Sequence, residues 1–214
     1  MKTGLIFDLD GTLLDTLQDL CDSTNHALRA FGYPQRTLEE VRRSVGNGAG
    51  KLIERVVPPG ADPAPVLAAF QAHYPTHCQI HTAPYPGIRE ALEALGRTYP
   101  LAIVSNKPDE AVKALCGALF PGIYALGERA DCPRKPAPDM VRKALAAIGA
   151  DRGVYIGDSE VDVETAKNAQ MPCLSVLWGF RDREELEAAG ARYYCKKGED
   201  LPEAIGQILD SYGQ

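Results

Sequence analysis

From residue 85 onward, short apolar runs alternate with segments of helical period, and this alternation restricts the chain to very few folds. Leu101-Ala102-Ile103-Val104, Val154-Tyr155-Ile156 and Cys173 to Leu177 read as buried strands, and Ile123 to Leu126 as a possible fourth. Between and around them, Ile88 to Leu95, Asp109 to Leu119, Pro138 to Ile148, Val161 to Ala169 and Arg183 to Ala189 read as helices. Strands that alternate with helices form parallel sheets covered on both faces. An earlier strand, Thr3 to Leu9, belongs to the same sheet by its apolar run Leu5-Ile6-Phe7.

That first strand is followed by something different. From Leu13 through Leu17, Leu20, Cys21, Thr24, Ala27, Leu28 and Phe31, apolar and small residues recur at spacings of three and four, which predicts a helix ended by Gly32-Tyr33-Pro34. Thr37 with Glu40 three residues on has the form of a capping box. Gly46 to Gly50 reads as a loop, Lys51 to Val57 as a short helix before Pro58-Pro59-Gly60, and Pro65 to His77 as a further helix disturbed near Pro75. The expectation is an α/β protein: a Rossmann-like parallel sheet core with helices on both faces, from residues 1–15 and 83–214, with a small all-helical cap inserted at residues 16–82.

The polar residues lie where such a sheet concentrates chemistry. Ligands of open parallel sheets bind beyond the carboxyl ends of the strands. Asp8 and Asp10 close the first strand, Ser105 follows Val104, and Gly157-Asp158 follows Ile156. On an extended strand, residues two apart share a face, so Asp8 and Asp10 are expected to aim together. Two adjacent carboxylates repel and require a cation or positive side chains to stay ionised, which suggests a metal. Each residue alone could be a turn or cap residue; four such placements at strand ends favour a site, with Lys135 arriving from a loop.

Phe7-Asp8-Leu9-Asp10-Gly11-Thr12-Leu13, Ser105, Lys135 and Gly157-Asp158-Ser159-Glu160-Val161-Asp162 resemble, in order, the four motifs of the haloacid-dehalogenase-like hydrolase superfamily. The insert resembles its small helical cap. Pro84 to Ile88, Val104 to Pro108, Arg134 to Asp139 and Met171-Pro172 leading to Trp178-Gly179-Phe180 are similar to phosphoglycolate phosphatase-like members. The resemblance implies Asp8 as nucleophile, Asp10 as proton donor and acceptor, and Ser105, Asn106 and Lys135 as substrate-binding residues. It implies Mg²⁺ held by Asp8, the Asp10 backbone carbonyl and Asp158, with Asp162 as a second-shell or water-mediated contact. The implied reaction is hydrolysis of a small phosphorylated metabolite through an aspartyl-phosphate. Alternatives are a phosphomutase of the β-phosphoglucomutase type and a non-catalytic binding protein on the same scaffold.

Other features narrow the field. The net charge of −6 supplies no basic surplus for a nucleic-acid partner. No stretch has the length of a transmembrane helix, and the chain reaches its first strand directly from Met1-Lys2, so the expectation is a cytoplasmic protein. Six cysteines without CxxC spacing read as free thiols. Gly46-Asn47-Gly48-Ala49-Gly50-Lys51 fails as a P-loop, because the glycine spacing is short and Leu52 stands where Ser or Thr is required. Arg42, Arg43, Asn47 and Lys51 around it are either a solvated face or substrate contacts. His73, His77, Cys78 and His81 have metal-like spacing, but Pro75 interrupts them, and a histidine-rich helix end is the expectation. The oligomeric state is not readable from the sequence.

Overall fold

The computed structural model describes residues 2–212. In chain order it contains β1 (Thr3–Phe7), β2 (Leu14–Asp15), α1 (Leu17–Ala30), α2 (Leu38–Ser44), α3 (Gly48–Val56), α4 (Pro63–His77) and β3 (Ala83–Pro84). There follow α5 (Ile88–Gly96), β4 (Leu101–Pro108), α6 (Asp109–Leu119), β5 (Tyr124–Glu128), α7 (Asp139–Ala147), β6 (Arg152–Gly157) and α8 (Glu160–Asn168). The chain ends with β7 (Cys173–Val176), α9 (Arg183–Ala188), β8 (Tyr193–Cys195) and α10 (Leu201–Tyr212).

Six strands form one sheet in the order β5-β4-β1-β6-β7-β8, and every pairing is parallel. Alternation along β1 sends Leu5 and Phe7 into one apolar cluster and Ile6 into another, so the strand is buried on both faces. Ile88 and Leu92 of α5, Val112 and Leu115 of α6, and Leu201 and Ile205 of α10 join the first cluster. Met140 and Val141 of α7 and Ala166 of α8 join the second. Strand order reverses at β1, with β4 on one side and β6 on the other. This is the switch point where open α/β sheets bind ligands.

The helical insert leaves and rejoins the core through a two-residue antiparallel ladder, in which Leu14 pairs with Pro84 and Asp15 with Ala83. The buried Asp19 carboxylate ties the returning chain to α1. It accepts the backbone N–H groups of Ile80 (3.1 Å), His81 (2.9 Å) and Thr82 (3.0 Å), and the Thr82 hydroxyl at 2.8 Å. Helix α1 packs on α4 and α2, and α3 packs on α2 and α4. Leu20, Val41, Leu52 and Phe70 extend the first apolar cluster into the insert.

The capping box is present: Glu40 N–H donates to Thr37 Oγ1 at 3.2 Å, and Thr37 N–H to Glu40 Oε2 at 2.8 Å. Three expectations change. β1 stops at Phe7 rather than Leu9. The first insert helix starts at Leu17, because residues 9–14 form a turn in which Leu9 C=O accepts from Leu13 and Leu14. The glycine-rich loop is shorter than expected, since α3 already begins at Gly48. β8 and α10 were not anticipated. All six cysteines are free. Among the described residues no helix is long and apolar enough to cross a membrane.

Candidate active site

Asp8 sits immediately beyond β1, where its N–H donates to Ile156 C=O of the neighbouring β6 at 2.8 Å. Its Oδ1 accepts Leu9 N–H at 2.7 Å and lies 2.8 Å from Lys135 Nζ. Asp158 follows β6 in the same way. Its Oδ1 accepts the Thr12 hydroxyl at 3.0 Å and its Oδ2 accepts Phe180 N–H at 2.7 Å. Gly11, with φ of +82°, lets the chain turn directly against Asp158; a Cβ there would overlap the Asp158 carboxylate.

Asp162, in the first turn of α8, spends both oxygens on the protein. Its Oδ2 accepts Asp158 N–H (3.2 Å), Ser159 N–H (3.0 Å) and the Ser159 hydroxyl (2.6 Å). Its Oδ1 accepts from Lys135 Nζ at 2.8 Å and from the Tyr155 hydroxyl at 3.1 Å. The residue therefore positions Lys135 and the start of α8. Lys135 Nζ also donates to the Tyr155 hydroxyl at 3.1 Å, which completes a buried cluster of one ammonium, two carboxylates and a phenol.

Asn106 is likewise committed. Its Oδ1 accepts Lys135 N–H at 2.9 Å, and its Nδ2 donates to Lys135 C=O at 3.0 Å and to Gly46 C=O of the insert at 3.2 Å. Its side chain therefore joins the lysine loop to the insert. Ser105 is buried and borders the cavity, with its Oγ accepting Lys107 N–H at 3.2 Å.

Asp8 and Asp10 both reach one cavity of ≈ 60 Å³ between sheet and insert, lined also by Ser105, Lys107, Lys135 and Asp158. They converge through the turn rather than through strand alternation, because β1 has ended before Asp8. They meet different partners there. Asp10 Oδ1 lies 2.9 Å from Nζ of Lys107, a buried lysine that also donates to the Tyr74 hydroxyl of α4 at 2.6 Å. The insert closes the cavity with apolar groups, among them Leu20, Leu52 and Phe70. Arg181, on the core loop after β7, bridges to the insert by donating to the Arg42 C=O at 3.2 Å and the Val45 C=O at 2.7 Å. Arg42, Arg43, Asn47 and Lys51 do not line the cavity; Arg43 and Lys51 pair with Glu39 and Glu54. His73 stacks between His26 (3.8 Å) and His77 (3.6 Å), while Cys78 turns to Pro75 C=O, so the run of potential ligands does not converge.

Electrostatics separate the carboxylates. Burial raises Asp8 well above the usual carboxylate range, and Asp162 adds to the shift against the pull of Lys135. Burial and then Asp162 push Asp158 up to about 7. Burial also acts upward on Asp162, but Lys135, Ser159 and Tyr155 outweigh it, and its net shift is downward. Burial pushes Lys107 down, yet Asp10 and Tyr74 push it up by more, and it stays protonated. Asp8, Asp158 and Asp162 bring oxygens within 4.8 Å of one another. Among the described residues Lys135 is the cation paired with this cluster, and the carboxylates that reach the cavity, Asp8 and Asp158, are hard oxygen donors. The residues present thus fit a divalent cation.

A pH dependence follows from these shifts. Between about 4, the ordinary aspartate value, and about 7 for Asp158, the folded protein binds protons that the unfolded chain has released. Stability of the metal-free protein is therefore expected to fall as pH rises through that window. Thermal unfolding in EDTA at pH 5 and pH 8 checks this. Asp158→Asn should flatten the slope, and a divalent cation should raise Tm more at pH 8 than at pH 5.

Comparison with known proteins follows the same lines. Residues 5–176 match the family model described as haloacid dehalogenase-like hydrolase. A phosphoglycolate phosphatase of Rhodobacter capsulatus is 37% identical over 191 residues, covering 85% of this chain and 87% of that one. A crystal structure from Lactobacillus delbrueckii subsp. bulgaricus, of a protein provisionally assigned as a phosphoglycolate phosphatase, superposes with a TM-score of 0.90 at 37% identity, covering 96% of this chain and 99% of that one. CbbY from Rhodobacter sphaeroides, in complex with phosphate, superposes with a TM-score of 0.76 at 26% identity, covering 96% and 100%. With a family model matched over residues 5–176 and a relative 37% identical over 191 residues, the chain belongs to the haloacid dehalogenase-like hydrolase family.

Proposed function

We propose that this protein is a cytoplasmic, Mg²⁺-dependent phosphatase that hydrolyses a small phosphorylated metabolite through an aspartyl-phosphate on Asp8. The observation that carries the reading is the inequality of the two motif aspartates: Asp8 lies against Lys135, whereas Asp10 lies against Lys107 on the same cavity. The phosphatase names of the relatives and the phosphate bound by CbbY support it.

In the first step an Asp8 oxygen attacks phosphorus and the bond to the leaving oxygen breaks. Asp10 delivers the proton to that oxygen. In the second step water attacks the same phosphorus, Asp10 takes the proton of the water, and the bond to Asp8 breaks. The two steps move one proton in opposite directions, so a single carboxyl serves both. Lys135 and the Ser105 hydroxyl hold the phosphoryl oxygens in place as preorganised donors. Asp8, the Asp10 carbonyl and Asp158 would hold Mg²⁺, which would supply charge neutralisation for a carboxylate facing a phosphate dianion.

Residues 16–82 act as a cap over a core of residues 1–15 and 83–214, and the cavity of ≈ 60 Å³ between them favours a small leaving group. Phosphoglycolate is the leading substrate. The test is incubation with Mg²⁺ and a panel of phosphorylated metabolites, with free phosphate and isomerised sugar measured separately; isomerised sugar without phosphate would indicate a mutase instead. Asp10→Asn is expected to slow turnover by about 10²–10⁴-fold while Mg²⁺ affinity by calorimetry stays within a few-fold, because the proposed ligand is the carbonyl. Lost Mg²⁺ binding would contradict that assignment.

A further inference from the structure

We propose that Lys107 and Tyr74 form the subsite for a carboxylate on the leaving group and are the residues that select an acid over a neutral ester of the same length. The proposal rests on the phosphatase reading above and specifies which esters that site takes.

Among the described residues, three cations border the cavity: Lys107, Lys135 and Arg181. Lys135 is enclosed by Asp8, Asp162 and Tyr155 on the side of the attacking oxygen. Arg181 is spent on Glu160 and on the carbonyls of Arg42 and Val45. Lys107 is the cation on the side of Asp10. Its ammonium has three donors, of which Asp10 and the Tyr74 hydroxyl account for two. The Tyr74 ring, 4.6 Å from Nζ, adds a face that keeps the charge in place without occupying a donor.

Geometry sets the length of the acid. The leaving oxygen must come within about 3.2 Å of an Asp10 oxygen to receive its proton. Lys107 Nζ lies 2.9 Å from Asp10 Oδ1. The leaving oxygen and the ammonium are therefore no more than roughly 8 Å apart, allowing for the width of the carboxyl group. A carboxylate on the carbon that bears the ester oxygen, with one hydrogen bond to Lys107, reaches roughly 6 Å and so falls within this limit. Around it the insert offers Leu20, Leu52 and Phe70, which give no partner to the hydroxyl groups of a sugar. Buried polar groups without partners are disfavoured, so the same walls select against polyols. The tyrosine comes from the insert and the lysine from the core, so an anion held by both is held only with the insert in place.

The test compares phosphoglycolate with ethyl phosphate, which replaces the carboxylate with a methyl group and keeps the ester. For the wild type with Mg²⁺, kcat/KM is expected to favour phosphoglycolate by at least about 10²-fold. Lys107→Met should reduce that ratio by about 10²-fold, and Tyr74→Phe by about 3–10-fold, mainly through KM. A purely structural role for Lys107 would slow both esters equally and leave the ratio unchanged, which overturns the proposal. A wild type that hydrolyses both esters alike also overturns it. A wild type that hydrolyses neither, nor any ester of the panel, overturns the phosphatase reading on which it rests. If Lys107→Met does not fold, Tyr74→Phe alone decides by the same ratio.

Discussion

Lys135→Met is expected to destabilise the protein by about 3–5 kcal/mol, the range for removing one partner of a buried ion pair. The lysine is the one cation between Asp8 and Asp162, at 2.8 Å from each, and it also serves Tyr155. Without it two buried carboxylates face each other. Asp162 keeps its bonds from Ser159 and the amide of Asp158, so its anion survives. Asp8 would respond by holding a proton to still higher pH, since burial and Asp162 already raise it. The loss should therefore be larger at pH 8 than at pH 5. In a chain of 214 residues the effect is a fall in Tm of roughly 6–20 °C. Turnover should fall by about 10³-fold or more, because a preorganised charge at the phosphoryl oxygens is lost as well. A Tm change under about 2 °C would mean that the cluster does not share its charge as described.

Asp8→Asn is expected to act in the opposite sense on stability while abolishing turnover. The amide has nearly the shape of the carboxylate but is a far weaker nucleophile, so kcat should drop by about 10⁴-fold or more. It also removes one negative charge from a buried site that holds three carboxylates and one lysine. In the folded protein Asp8 is raised by burial first and by Asp162 second, so the charge is unfavourable there at neutral pH. The Tm of the metal-free variant at pH 8 should equal or exceed that of the wild type. Thermal scans in EDTA, alongside phosphate release with Mg²⁺, check both halves. Retained turnover would remove Asp8 as the nucleophile.

These two residues show what could be read in advance and what could not. Asp8, Asp158 and Lys135 stand at strand ends or in a loop beside them, and the apolar runs Leu5-Ile6-Phe7 and Val154-Tyr155-Ile156 mark those ends directly. Tyr155 was hidden within such a run. Its hydroxyl reaches Lys135 because strand alternation turns it away from Val154 and Ile156, toward the loop that carries the lysine. Lys107 gave no signal beyond its place after Ser105-Asn106; its burial depends on Tyr74, 33 residues away in sequence. The resemblance implies Asn106 as a substrate contact; it borders the cavity, and its amide also faces Lys135 and Gly46, a role that its neighbours in sequence do not signal. In the fold, α10 carried a readable period in Leu201, Ile205 and Ile208, all buried. The strand Tyr193–Cys195 is short, and only its pairing with β7 defines it.

The ladder of Leu14 with Pro84 and Asp15 with Ala83 has a consequence of its own. Because departure and return lie side by side, the insert is closed as a loop by the same two residue pairs whatever the 67 or so positions between them contain, and closure entropy rises only slowly with their number. Substitutions and length changes can then accumulate in the helices of the insert while Asp8, Lys135 and Asp158 keep their places. One contiguous stretch of chain is thus free to diverge while the strand ends stay fixed, except at Tyr74, which the insert must keep if Lys107 is to stay beside Asp10.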